Sequence, residues 1–236
     1  MISHTNQCLV DAYDAPPVAD IAHITGALAT AEVRPEPFPH AVIENFLPDD
    51  LATALRAEAE TGTGPGWIGD HTRASLYLTQ SVGTPDGETA AGRRAVGALS
   101  ARPTIDAVRA LFDGHLDRGT SVDRLVVGLE LMRDRVGFML PPHTDGERRM
   151  IGCLVYLADP GDPEELGTRL YAPRDASLVE SARNSVNYED VDEVVTAPFR
   201  RNLALIWVRS NRSFHGVPPG IVDRDRRALQ WCVERY

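Results

Sequence analysis

The sequence contains no lysine; all 24 of its basic side chains are arginine. A carboxylate recognised by this chain through an ion pair must therefore be held by arginine or by a charged histidine. Positive charge is scarce overall, since 34 acidic residues give a formal net charge of −10. Such a balance lacks the basic footprint that nucleic acid or an anionic membrane requires, so the expected partner is a small molecule. Cysteine is sparse as well. Cys8, Cys153 and Cys232 are odd in number and share no short metal-type spacing, which argues against a disulfide framework and against a zinc knuckle. No apolar run approaches membrane-spanning length, and Asp11, Asp14 and Asp20 stand where a signal peptide needs a basic end and an apolar stretch. A reducing cytoplasm is the expected location. At 236 residues the chain can bury one substantial core, and the expected organisation is a lead-in or covering segment over 1–36 followed by one domain over 37–236.

What is present changes character near residue 124. Before it come a helix-compatible run over 18–31, a short β-rich stretch over 37–47 bounded by prolines, and a helix over 50–61 started by Pro48-Asp49-Asp50. A strand is expected over 75–79, preceded by His71 and Arg73, a polar pair that suits either a pocket wall or plain surface. Residues 94–116 read as helix divided by Pro103, with Arg93, Arg94, Arg102 and Arg109 as a solvated face. After residue 124 the pattern is strands: 125–132, a β segment leading into Pro141-Pro142, then 150–157, 167–171, 202–208, 214–217 and 228–233. Between them, 172–200 is polar and weakly periodic, and reads as a long irregular insertion acting as a mobile lid, the alternative being an ordered surface excursion packed by Leu178, Val179, Val186 and Tyr188. Strands clustered behind helices, with no helices between them, predict a mainly β fold: a jelly roll, or double-stranded β-helix, over about 124–236 with the N-terminal helices packed outside.

The chemistry centres on Pro142-His143-Thr144-Asp145. In extended backbone, residues two apart share a face, so the imidazole of His143 and the carboxylate of Asp145 can converge. A second imidazole would complete a facial triad for Fe(II), and His215, in Ser213-Phe214-His215-Gly216-Val217, is the candidate. His-x-Asp alone arises by accident about 0.6 times in a chain of this composition. A second copy, His115-Leu116-Asp117, follows a helical stretch where i and i+2 do not share a face, and is taken as the accidental one. Eleven residues beyond His215 lies Arg226; if it begins the last strand, Ala228 shares its face and leaves room beside the guanidinium for a bound carboxylate, while Arg227 points the other way.

The ordered set His143-x-Asp145, His215-Gly216-Val217 and Arg226-Arg227-Ala228-Leu229 resembles the Fe(II)- and 2-oxoglutarate-dependent oxygenases, in particular their prolyl-hydroxylase-like branch. The stretch from Pro37 to Glu58 and Gly167-Thr168-x-Leu170-Tyr171 also look like family sequence, so the resemblance covers most of 37–236. It implies His143, Asp145 and His215 as iron ligands and Arg226 as the residue that binds the distal carboxylate of 2-oxoglutarate. It also implies O2 as co-substrate, succinate and CO2 as products, and hydroxylation of an unactivated C–H bond as the default outcome. One departure stands out, because many relatives have tyrosine where this chain has Asp134; the missing hydrogen bond could move to Tyr77 or Tyr156, although core packing explains both of those residues as well. Two other readings stay open: a cupin-like metalloenzyme acting without 2-oxoglutarate, and a jelly-roll binding protein without catalysis.

Overall fold

The computed structural model describes residues 17–81, 89–116, 125–179 and 185–235. The strands in chain order are β1 (His40–Ile43), β2 (Trp67–Gly69), β3 (Arg73–Tyr77), β4 (Leu125–Asp134), β5 (Leu140–His143), β6 (Arg149–Tyr156), β7 (Arg169–Pro173), β8 (Val191–Thr196), β9 (Leu203–Val208), β10 (Phe214–Val217) and β11 (Arg226–Arg235). They form a seven-stranded sheet in the order β1-β9-β6-β11-β4-β3-β2 and a four-stranded sheet in the order β5-β10-β7-β8. Every pairing in both sheets is antiparallel. This is the jelly-roll architecture that the clustered strands predict.

Period-two alternation sorts the large sheet into two faces. Leu129 and Leu131 of β4, Cys153 and Val155 of β6, Ile206 of β9, and Leu229, Trp231 and Val233 of β11 belong to the outer core. Leu154, Tyr156, Leu205, Trp207 and Ala228, the residues between them, pack instead against Leu166 and Leu170 at the small sheet. The outer core is closed by helices α1 (Val18–Ala29), α2 (Asp49–Thr61), α3 (Leu78–Ser81), α4 (Ala90–Leu99) and α5 (Arg102–Leu111). Ile24 and Leu28, one turn apart, bury the inner side of α1, which is thus a covering helix. Pro103 lies in the first turn of α5, where an absent N–H costs nothing, and the helical stretch is split just before it.

Arg94 departs from the solvated-face expectation. Its Nε and Nη2 donate to Asp20 at 2.5 and 2.7 Å and its Nη1 to Asp50 at 2.5 Å, so it fastens α4 to both α1 and α2. A buried Asp20 needs such a partner, and helical spacing alone does not reveal one contributed 74 residues away.

The stretch over 172–200 is not an irregular insertion throughout. Residues 191–196 form β8 along β7, and Leu178, Val186 and Tyr188 pack against the cluster of Tyr171, Val191 and Phe214. β8 escaped the sequence pattern because it is an edge strand with most side chains exposed, and Asp192 and Glu193 blunt that edge. Residues 180–184 lie outside the described residues, as do Cys8 and Asp117 of the second His-x-Asp copy. Cys153 and Cys232 are buried free thiols. Among the described residues, no helix is long and apolar enough to cross a membrane.

Candidate metal centre and carboxylate site

β5 and β10 are neighbours in the small sheet, with His143 directly opposite His215. Their ring centroids are 4.5 Å apart. Asp145 leaves the end of β5 and turns back, bringing its Oδ2 to 3.8 Å from His215 Nε2. One ligand atom from each of the three side chains falls within 4.8 Å of the others, close enough for all three to bind one metal ion.

Both imidazoles are held by the same device. His143 Nδ1 donates to the carbonyl of Pro141 and His215 Nδ1 to the carbonyl of Ser213, each at 3.0 Å. A carbonyl only accepts, so the proton sits on Nδ1 and the Nε2 lone pair is left for a ligand. Burial, together with neighbouring His215, holds the His143 imidazole below the ordinary histidine range and keeps it neutral. Asp145 is oriented from both sides: Arg149 Nη1 donates to Oδ1 at 2.6 Å and Trp207 Nε1 to Oδ2 at 3.1 Å. Arg209 Nε adds a bond to its main-chain carbonyl at 3.0 Å. Burial would push the Asp145 carboxyl upward, but neighbouring His215, the Arg149 guanidinium and the indole hydrogen bond outweigh it and hold the group below its ordinary value. Each carboxylate oxygen has a second lone pair, so these bonds leave capacity for a metal. Two imidazoles and a carboxylate fit a facial Fe(II) site, and the orienting bonds behind them are the kind that tune such ligands.

Arg226 opens β11 and shares the inner face with Ala228, whereas Arg227 turns outward to Asp159 and to Glu60 on α2. A cavity of about 50 Å³ is lined by Arg226, His143, Asp145, His215, Thr168 and Arg73, among others. The guanidinium of Arg226 is 1% exposed and bonds to the Leu166 carbonyl, the Thr168 hydroxyl and the Asp134 carboxylate at 2.8, 3.0 and 2.6 Å. One partner of this guanidinium is thus already a carboxylate of the chain, Asp134, while Arg226 still lines the cavity. Tyr156 lies under Arg226 in the core and its hydroxyl accepts from Thr168 N at 3.0 Å, while Tyr77 pairs with Glu130 across β3 and β4 and is not part of this cavity's wall.

Sequence reasoning missed Trp207 and Thr168, which reach the site from remote parts of the chain, and Arg149, which is only four residues beyond Asp145 but sits in a charged turn that reads as surface. Arg73 lines the cavity, whereas His71 is exposed. A second, open cavity of about 580 Å³ adjoins His143 and Asp145, with Glu147, Arg148, Arg149 and Glu234 in its wall. The connection from β7 to β8 passes beside it: Ser185 bridges to His143, and Val186 N donates to the Pro142 carbonyl at 2.9 Å.

No protein-family model and no curated protein matches the chain. Solved structures do match. A prolyl-4-hydroxylase from Pseudomonas putida is 19% identical, with a TM-score of 0.50 over 92% of this chain and 94% of that one. The non-heme alpha ketoglutarate dependent epimerase SnoN from nogalamycin biosynthesis is 16% identical, with a TM-score of 0.55 over 93% and 82%. HygX from Streptomyces hygroscopicus, solved with nickel, 2-oxoglutarate and hygromycin B, is 15% identical, with a TM-score of 0.51 over 83% and 82%. The chain thus has the fold of the Fe(II)- and 2-oxoglutarate-dependent oxygenases, prolyl 4-hydroxylases among them.

Proposed function

We propose that this chain is an Fe(II)- and 2-oxoglutarate-dependent dioxygenase that hydroxylates a C–H bond of a small molecule. In this reading His143, Asp145 and His215 hold the iron and Arg226 receives the distal carboxylate of 2-oxoglutarate. The observation that carries it is the convergence of three ligand atoms within 4.8 Å, in a cavity that Arg226 also lines. Proteins of the same fold support the pairing: SnoN has been solved with Fe3+ and alpha ketoglutarate, and HygX with nickel and 2-oxoglutarate.

Iron with 2-oxoglutarate and O2 supplies the oxidising power, leaving succinate and CO2 as products. The chain supplies position and shelter. The Nδ1 bonds to Pro141 and Ser213 aim both imidazoles, and Trp207 and Arg149 aim the carboxylate between them. Leu166 and Thr168 hold Arg226, and Met132, Leu154 and Trp207 keep water from the cavity wall. The open cavity of about 580 Å³ falls within the range of small-molecule sites. Its lining of Glu147, Arg148, Arg149 and Glu234 suits a polar substrate bearing charge, such as an amino acid or a specialised metabolite.

Iron-dependent succinate release from 2-oxoglutarate, screened against such substrates, is the test. It separates this reading from a cupin-like metalloenzyme and from a binding protein, neither of which forms succinate. His143→Ala, Asp145→Ala and His215→Ala should each abolish release and weaken metal binding while circular dichroism stays unchanged. Full turnover by any of the three variants refutes the ligand assignment.

A further inference from the structure

Three adjacent strands of the large sheet carry Arg73, Asp134 and Arg226 side by side, with Asp134 the direct cross-strand partner of both arginines. Asp134 Oδ1 accepts from Arg73 Nε at 2.5 Å and its Oδ2 from Arg226 Nη1 at 2.6 Å. The Asp134 and Arg226 side chains are each 1% exposed, and the Arg73 guanidinium lies 4.1 Å over the Phe138 ring. Two guanidiniums share one carboxylate, so the group carries one positive charge in excess. That excess sits in the wall of the cavity shared with His143, Asp145 and His215. Solvent, to which 27% of the Arg73 side chain is exposed, and the nearby Glu130 carboxylate screen that excess, and an anion bound at the forks would neutralise it directly.

Hydrogen-bond capacity points the same way. A guanidinium has five N–H donors, and Arg226 commits one each from Nε, Nη1 and Nη2. The two Nη atoms of Arg73 make no hydrogen bond among the described residues. The cavity therefore has unassigned donors on two planar forks and a charge of one to neutralise, which is the complement of a single carboxylate.

We propose that Arg73 and Arg226 form a two-guanidinium receptor for the distal carboxylate of the 2-oxo acid, with Arg73 a direct binding residue and Asp134 the bridge that spaces the pair. This rests on the 2-oxoglutarate reading above and extends it to two residues that neither the metal triad nor Arg226 requires.

The experiment is calorimetric titration of the Fe(II)-loaded protein, free of oxygen, with 2-oxoglutarate and with pyruvate, which keeps the 2-oxo acid end but lacks the distal carboxylate. The wild-type protein should prefer 2-oxoglutarate; no preference overturns the cosubstrate reading, and this proposal with it. Arg73→Met should lower the preference by about tenfold or more, as expected for loss of a charge-assisted contact. A preference kept in Arg73→Met but lost in Arg226→Met overturns the receptor and leaves the cosubstrate reading intact. The double variant Arg73→Met/Asp134→Asn removes both members of one ion pair and leaves Arg226 its charge. Recovery of the wild-type preference there shows Arg73 to be only the counter-ion of Asp134 and overturns the proposal, whereas a persistent loss supports it. Being charge-balanced, the double variant also decides the matter where Arg73→Met alone does not fold. The preference is a ratio taken within one protein, so lowered stability by itself does not move it.

Discussion

Replacing Gly152 with alanine tests whether the sheet holds the Asp145 carboxylate through Trp207. Gly152 is the cross-strand partner of Trp207 in the β6–β9 pair, and a Cβ at that position would lie 2.4 Å from Cζ2, 2.5 Å from Cε2 and 2.9 Å from Nε1 of the indole. Non-bonded carbons settle at about 3.5 Å or more, so the ring must move by roughly 1 Å. The bond from Nε1 to Asp145 Oδ2 is 3.1 Å long, and a displacement of that size breaks it. Retreat is limited, because the His215 ring stands 4.6 Å from the indole. Overpacking of this kind costs about 1–3 kcal/mol, and loss of a bond that orients a metal ligand costs about 10–100-fold in metal affinity. Thermal melting reads the first effect and Fe(II) titration under argon the second. Trp207→Phe, which keeps a ring but has no N–H, should show the metal effect with less overpacking. Combining it with Gly152→Ala should weaken metal binding no further than Trp207→Phe alone. Unchanged metal affinity in Gly152→Ala, or effects of the two substitutions that simply multiply, refutes the coupling.

Two further predictions concern stability. Asn202 sits at φ +58° and stitches the sheet to the start of α2: its Oδ1 accepts from Leu47 N at 2.9 Å and its Nδ2 donates to Leu47 O at 2.7 Å. Asn202→Ala strands two buried main-chain groups and should cost about 2–5 kcal/mol, read as a lowered denaturant midpoint; a change within the error of the midpoint would count against the stitch. Glu58 on α2 is raised in pKa by burial, a shift only partly offset by the hydrogen bond from Thr89 Oγ1. A raised folded value means that the charged form destabilises the fold at neutral pH, and that wild-type stability is regained as pH falls through the folded value toward the unfolded one. Glu58→Gln should therefore melt higher than wild type at pH 7 to 8, with the gap closing toward about pH 4.3, the unfolded glutamate value. A gap independent of pH would show that the hydrogen bond, not the charge, dominates.

The strands of the two sheets were legible where both faces are buried or alternation is clean. Phe214–Val217 appears as β10 with the expected limits, and the period-two argument that separates Arg226 from Arg227 agrees with the face each residue takes. What escaped was exposed or very short. β2 has three residues, two of them exposed, and β8 presents mostly charged and exposed side chains, so neither offers an apolar pattern to detect. Helix limits shifted by only a few residues, because Pro48 caps the start of α2 and Pro103 lies in the first turn of α5.

The site was legible only in part, and the boundary is set by sequence separation. His143 and Asp145 are local, and a motif can carry them; Trp207, which bonds Asp145, is 62 residues further on, and Arg226 and Asp134 are 92 apart. A sheet brings such residues together by register, which a single sequence does not print. Asp134 nevertheless drew notice, as a carboxylate where the resemblance led one to expect tyrosine. Its register supplies the physical account: the residue faces Arg226 on one neighbouring strand and Arg73 on the other, so an anion there is matched by two cations. A tyrosine hydroxyl at that position could not neutralise a second guanidinium, and the half-buried Arg73 would then be left with only solvent and the nearby Glu130 against its charge. Asp134 and Arg73 therefore act as one ion-paired unit built on two strands. The pair leaves the net charge that the cavity presents to a bound carboxylate at one, the value that Arg226 alone would give, while doubling the number of guanidiniums that can meet it.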